Sequence, residues 1–395
     1  MALQPAAPAP RRVASSAPLT PGQSAWLDAL RGVSAQLVLV GHALIAFAQP
    51  GPVLRTLPHS LGVVVFFLLS GYLITLTTLA KSRGGGYGLA DFTIDRAARI
   101  FTPYVPALVV VALVDVASSA SPAYPFRQDF TLATGVLNLL MLQDHPLFLA
   151  LRRLGLPDEL WIFGPFGSGR PFWTIMIEWW IYLAFGFGLF VLWRDARPRG
   201  AARWLIAAGF AIVPLTHLVA GYGQCLTMVW GLGMAMAIGH RRLADALRAR
   251  VSTRMLAWAA AGFLALCALR LAANQVRVYE LQFALYASAA IFAVLLALGR
   301  IERAPPPWLA RLAAGLAAIS YSLYLTHFTL LTFLVTQVHA GALDPAAALV
   351  LCLAGANALA IAFWWSFERH HRAVARWLRQ LAGSGGAIAA PRRAP

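Results

Sequence analysis

The sequence has little charge: only 12% of its 395 residues are Asp, Glu, Lys or Arg, while 59% are hydrophobic. Soluble domains carry roughly twice that charge, so an ordinary soluble protein is excluded and the bilayer is the expected solvent. Acidic residues are scarcest, 15 against 32 basic ones, and Lys81 is the sole lysine. The net charge of +17 is spread in short clusters between apolar runs rather than gathered into a patch, which argues against a nucleic-acid partner. Cysteine is nearly absent. Cys225, Cys267 and Cys352 all lie inside apolar segments without paired spacing, so neither a disulfide framework nor a metal site is indicated. The first 25 residues are rich in Pro, Ala and Ser and lack the apolar core of a signal peptide; they read as a disordered cytoplasmic tail. No repeat and no inverted symmetry between halves is visible, which weakens a transporter reading.

What the chain has is apolar runs long enough to cross a bilayer, each needing about 20 residues. They fall near 27–48, 60–80, 101–119, 172–193, 204–220, 222–239, 255–273, 279–299, 313–338 and 346–367. The expectation is an all-α polytopic membrane protein of about ten transmembrane helices. The stretch 130–144 is too short for a full span and decides the topology. If it does not cross, most basic residues fall on one side, including Lys81, Arg83, Arg96, Arg99, Arg194, Arg197, Arg199, Arg203, Arg241 and Arg242. The positive-inside rule then makes that side cytoplasmic, with both termini there and 130–144 re-entrant or interfacial. The domain layout expected is a tail over 1–25, a transmembrane domain over 26–371 and a basic, largely disordered tail over 372–395.

Ionisable groups inside a span cost on the order of 2.5 kcal/mol or more, so each needs a reason. Arg31 and His42 are eleven residues apart in the first span, within about 20° of three full helical turns, and so share one face about 16 Å apart along the axis. The bland reading makes Arg31 an interface anchor and His42 a satisfied interior histidine; the aligned pair points to a site. Glu178 lies in the fourth span, six residues from its outer end, as His42 does in the first. Equal depth suggests that the carboxylate orients the imidazole as a general base. Arg96 and Arg99, one turn apart, make a phosphate clamp or a pair of interface anchors. Ser70, Tyr72, Asp115, Tyr321, Tyr324 and His327 add polar positions within spans, with His327 expected about 7 Å deeper than His42. The Gly84-Gly85-Gly86 run is read as a flexible turn, since it lacks the strand, lysine and helix of a phosphate-binding loop.

Five stretches in order resemble the acyltransferase-3 family of bacterial membrane acyltransferases: LDALRGVSAQLVLVGH with its R-x10-H spacing, GVVVFFLLSGYLI, DRAARIFTPY, FWTIMIEWWIY and SYSLYLTHF. The resemblance runs from about Trp26 to His371. It implies a multi-pass protein of the bacterial inner membrane that moves an acyl group, usually acetyl, from cytoplasmic acyl-CoA to a hydroxyl of a glycan or lipid-linked saccharide on the far side. Acetyl-CoA would be a co-substrate, with no permanently bound cofactor. On that resemblance His42 is the catalytic histidine with Glu178 beside it. Arg31, Arg96 and Arg99 hold the donor, while Ser70, Tyr72, Tyr321, Tyr324 and His327 line the substrate path. Where the family often has a second acid after the Glu178 position, this chain has Trp179. Some members carry a fused periplasmic domain; the expectation here is the membrane core, with a separate periplasmic partner as one option. Direct transfer and an acyl-histidine intermediate both fit, and the rival class is a transporter or flippase using Arg31, His42 and Glu178 as a proton relay.

Overall fold

A computed structural model describes residues 19–146, 148, 154, 164–193, 200–218, 225–248, 250–273, 280–298, 300 and 305–383. The expected N-terminal tail up to residue 18, the basic positions Arg194, Arg197 and Arg199, and the end of the chain after 383 lie outside the described residues.

Every regular element among the described residues is helical. The long helices are α1 (Pro21–Phe47), α2 (Pro52–Arg83) and α3 (Leu89–Ser119), followed by the short α4 (Leu132–Leu139). Next come α5 (Phe172–Phe187), which runs on as a π-helical turn over Gly188–Trp193, α6 (Ala201–Thr216) and α7 (Leu226–Arg248). The remainder are α8 (Thr253–Ala272), α9 (Leu281–Leu298), α10 (Pro307–His339), α11 (Pro345–Ser366) and α12 (His371–Leu381). Eight described segments are long and apolar enough to cross a membrane, while α6 and the apolar part of α7, Leu226–Gly239, are shorter. All ten expected spans therefore appear as helices, eight of them at full crossing length. At eight residues, α4 measures about 12 Å and is too short to cross.

Local chemistry sets the helix starts. Thr20 caps α1 by accepting a hydrogen bond from the Gln23 amide, the Thr20 amide donates to Gln23 Oε1 in return, and Pro21 sits at the first helical position. Asp344 caps α11 by accepting from the Ala346 and Ala347 amides. Without a hydrophobic driving force between helices in lipid, close backbone packing and polar pairs hold the bundle. Gly71 on α2 and Gly233 on α7 face each other's helices so closely that a Cβ on the first would overlap the Trp230 carbonyl and one on the second the Leu68 carbonyl. Gln36 on α1 and Asn357 on α11 exchange amide hydrogen bonds of 2.7 and 3.2 Å.

The core of the bundle is α1 packed between α2 and α10, with α3 and α5 closing one side. At the start of the basic tail, α12 docks on the first turns of α3, where Arg379 pairs with Asp91 and Asp95. Residues 164–171 fold inward rather than over the surface. Ser168 is fully buried, its amide bonding the Asp115 carboxylate at 2.7 Å and its hydroxyl donating to Thr329 at 3.2 Å. Gly167 adopts φ +49°, and a side chain there would collide with Asp115. Asn138 of α4 clasps the same loop through the Gly164 carbonyl and the Phe166 amide. Asp115, an interior polar position in the sequence, is thus the anchor of this loop.

Candidate active site

A cavity of about 220 Å³ opens between α1, α2, α3, α5 and α10. Arg31, Arg96, Arg99, Ser70, Glu178, Tyr321 and Tyr324 all line it. Arg31 reaches from α1 to α10, donating to Ser320 Oγ and the Ala317 carbonyl, each at 2.9 Å. Arg99 pairs with Glu368 at 2.7 Å and lies over the Tyr321 ring at 5.4 Å. Glu368 is itself buried and accepts from the Ser322 amide at 3.0 Å and hydroxyl at 2.6 Å. Arg96 lies 5.9 Å over the Tyr182 ring, and its buried Nε has no hydrogen-bond partner among the described residues. Neither Arg31 nor Arg96 forms an ion pair with a carboxylate among the described residues. Three guanidiniums against the carboxylates of Glu178 and Glu368 leave the cavity positive, which favours an anionic occupant, and their forked donors suit phosphate.

Glu178 sits in the same cavity. It accepts hydrogen bonds from Ser70 Oγ at 2.7 Å and Tyr182 Oη at 2.5 Å, and the Trp230 indole donates to Ser70 Oγ at 3.1 Å. Tyr321 Oη is buried and has no hydrogen-bond partner among the described residues, while Tyr324 Oη lies 2.6 Å from Thr174 Oγ1.

A second cluster lies beyond Tyr324, whose ring stands 6.0 Å from that of His327. Here His42 Nδ1 is 3.1 Å from His327 Nε2. The His42 ring stacks on His59 at 4.9 Å and on His327 at 5.3 Å, with Phe328 edge-on at 5.2 Å. Neither His42 nor His327 lines the arginine cavity.

Residues 24–365 match the acyltransferase-3 family model, described as an acyltransferase domain. The chain belongs to the acyltransferase-3 family. One curated relative, an O-acetyl transferase of Shigella phage Sf6, is 34% identical over 90 residues, which are 22% of this chain and 26% of the relative. The chain thus matches about a quarter of that relative's length. No solved structure matches.

In this acyltransferase-3 chain most of the residues singled out from sequence fall into two groups. Arg31, Arg96, Arg99, Ser70, Glu178, Tyr321 and Tyr324 share the cavity; His42 and His327 form the separate pair. Two expectations change. His42 was expected beside Glu178, but its partner is His327, and Glu178 is held by Ser70 and Tyr182. The depth count assumed that α5 starts at the outer rim, whereas Phe172, its first residue, is fully buried beneath the folded-in loop. Six residues further along, Glu178 therefore lies nearer the Arg31 end. His327 was expected about 7 Å deeper than His42, yet the two touch. The 27-residue α1 and the 33-residue α10 run side by side from their N-terminal ends, and the extra length of α10 extends past the other end of α1.

Tyr72 does not line the cavity and packs in the core near α7. Ser70 and Tyr72 are two residues apart, about 200° around a helix, so both could not face one cavity. His59, Tyr182, Thr174, Trp230 and Glu368 escaped the sequence reading. His59 was visible as an imidazole in LPHSLG, just before the expected start of the second span. Glu368 fell one residue past the expected end of the last span and carried no signal of burial.

Proposed function

We propose that this chain is a membrane O-acyltransferase that carries an acyl group, acetyl in the simplest case, from acyl-CoA to a hydroxyl of a glycan or related acceptor. The observation that carries the reading is the cavity in which Arg31, Arg96 and Arg99 converge with Glu178, leading toward the His42 cluster. CoA offers phosphates for the guanidiniums and a long thin arm for the cavity. A volume of about 220 Å³ suits that arm and not the whole nucleotide, since pockets for drug-sized ligands run roughly 300–1,000 Å³. Glu178 is placed to accept from the amide N–H groups of the pantetheine arm, and Tyr321 Oη is free to join it.

In this reading the arginine end faces the cytoplasm, where acyl-CoA is made, and the His42 end faces the far side of a bacterial inner membrane. The short α4 supports that orientation, because without a crossing there the basic loops fall on one side. His42 takes the proton of the acceptor hydroxyl as its oxygen attacks the thioester carbonyl. The new C–O bond forms, the C–S bond breaks, and the departing sulfur receives the proton from His42 as CoA thiol. The cell supplies acyl-CoA and acceptor, and a separate periplasmic partner for delivering the product is compatible with this scheme.

Mass spectrometry of envelope glycans from cells with and without the chain tests the reading. The expected result is an O-acyl substituent that disappears when the gene is deleted and returns with the wild-type chain. Unchanged acylation in the deletion strain would overturn it.

A further inference from the structure

The proton positions in the histidine cluster follow from its acceptors. His327 Nδ1 lies 2.9 Å from the Leu323 carbonyl and 3.1 Å from the Tyr324 carbonyl of its own helix. A carbonyl oxygen only accepts, so Nδ1 carries the hydrogen. A neutral imidazole has one N–H, which leaves His327 Nε2 with a lone pair. That lone pair faces His42 Nδ1 at 3.1 Å, so His42 Nδ1 must be the donor. Nε2 of His42 is then the nitrogen left with a free lone pair.

From this chain of bonds we infer that His327 is a positioning residue: it locks His42 in the Nδ1–H tautomer and presents His42 Nε2 as the base. The inference rests on the acyl-transfer reading above and deepens it. It assigns to a neutral imidazole the task that a carboxylate performs in many hydrolytic sites, orienting the base and accepting from its imidazolium. The histidine cluster gives the reason for a neutral partner. The groups around His42 are the rings of His59 on α2 and of His327 and Phe328 on α10, with no carboxylate in contact among the described residues. The α10 backbone supplies the first acceptor of the chain, so the tautomer is fixed by the helix itself.

The position of each heteroatom makes the inference testable. Gln at 327 can place its amide oxygen where Nε2 stands and accept from His42 Nδ1–H; Asn is too short to reach, and Phe has no acceptor. In native membrane vesicles carrying the full chain, the initial rate of acetyl-CoA-dependent glycan O-acetylation is measured at saturating and limiting acetyl-CoA. His327→Phe and His327→Asn should lower kcat by about 100-fold, within the range general-base catalysis contributes, with the KM for acetyl-CoA unchanged. His327→Gln should remain within about tenfold of wild type. Equal losses in all three variants, or losses confined to KM, would overturn the inference.

A second readout does not depend on turnover. Nitrogen-15 NMR of histidine-labelled protein in nanodiscs, with the His42 signals assigned by their absence in His42→Gln, should show Nδ1 protonated and Nε2 imine-like. A protonated Nε2 on His42 would sink the assignment whatever the activity. If the expected tautomer is seen but the wild-type vesicles acylate nothing, the relay stands and the proposed reaction falls.

Discussion

The two polar clusters of this bundle are built on opposite plans. The cavity between α1, α2, α3, α5 and α10 gathers charge: three guanidiniums and a carboxylate, with Glu368 ion-paired to Arg99. The cluster beyond Tyr324 gathers three imidazoles in near-parallel planes, His42 lying against His59 and joined to His327 by a single ring-to-ring hydrogen bond. A charged cavity can hold a polyanion, because each phosphate contact is a charge-assisted hydrogen bond. A base must take up a proton and pass it on, which a neutral imidazole with a free ring nitrogen can do. The difference suggests a division of labour, in which the donor is held where the charge is and the proton moves where it is not.

Substitutions that separate the clusters test that division. The largest effect is expected for His42→Ala. Its kcat for O-acylation should fall by about a thousandfold, within the range of general-base contributions, with little change in the KM for acyl-CoA. Next comes Arg96→Ala, which removes a guanidinium that has no ion-pair partner among the described residues. Hydrogen bonds to charged groups contribute about 1.5–3 kcal/mol, so the KM for acyl-CoA should rise roughly 10- to 150-fold while kcat holds. A mainly kcat effect of Arg96→Ala would merge the two clusters. Glu368→Ala leaves Arg99 without its partner and should raise that KM more modestly while lowering thermal stability in detergent. Tyr72→Phe keeps the ring in the core outside the cavity, so initial rates should stay within about twofold.

The smallest effect belongs to neither cluster. Asp144, in the loop after α4, is pushed up to about 6 by burial, against a partial lowering by Arg170. Its folded-state value lies above the ordinary carboxylate value of 3.8, so the folded protein holds that proton more tightly than the unfolded chain. Stability is therefore lost as pH climbs from about 4 to about 6 and stays lower above that window. Asp144→Asn should flatten this dependence and raise the melting temperature at pH 7.5 by on the order of a few degrees. An unchanged pH profile would place the loss elsewhere.

The bundle was legible because hydropathy reports helix existence directly: each expected span lies on a helix, and polar exceptions such as Arg31 and Glu178 stood out as costs needing explanation. The grouping of Arg31, Arg96 and Arg99 followed from spacing and the family's motif order, whereas Glu178 was expected beside His42 and lies with the arginines instead. The pairing of His42 was not legible, because counting residues from helix ends places two groups at one depth only if both helices start at the same level. The folded-in loop before Phe172 breaks that assumption, and nothing in GPFGSGRPF announces that Ser168 is buried against Asp115. His59 and Glu368 were missed because each lies at a span boundary, where hydropathy cannot tell a buried turn from a solvated one.

Equilibrium binding of acetyl-CoA to the purified full chain in nanodiscs tests the division of labour most directly and needs no acceptor. The account predicts wild-type affinity for His42→Ala and at least tenfold weaker binding for Arg96→Ala. Loss of binding in His42→Ala with wild-type binding in Arg96→Ala would contradict it.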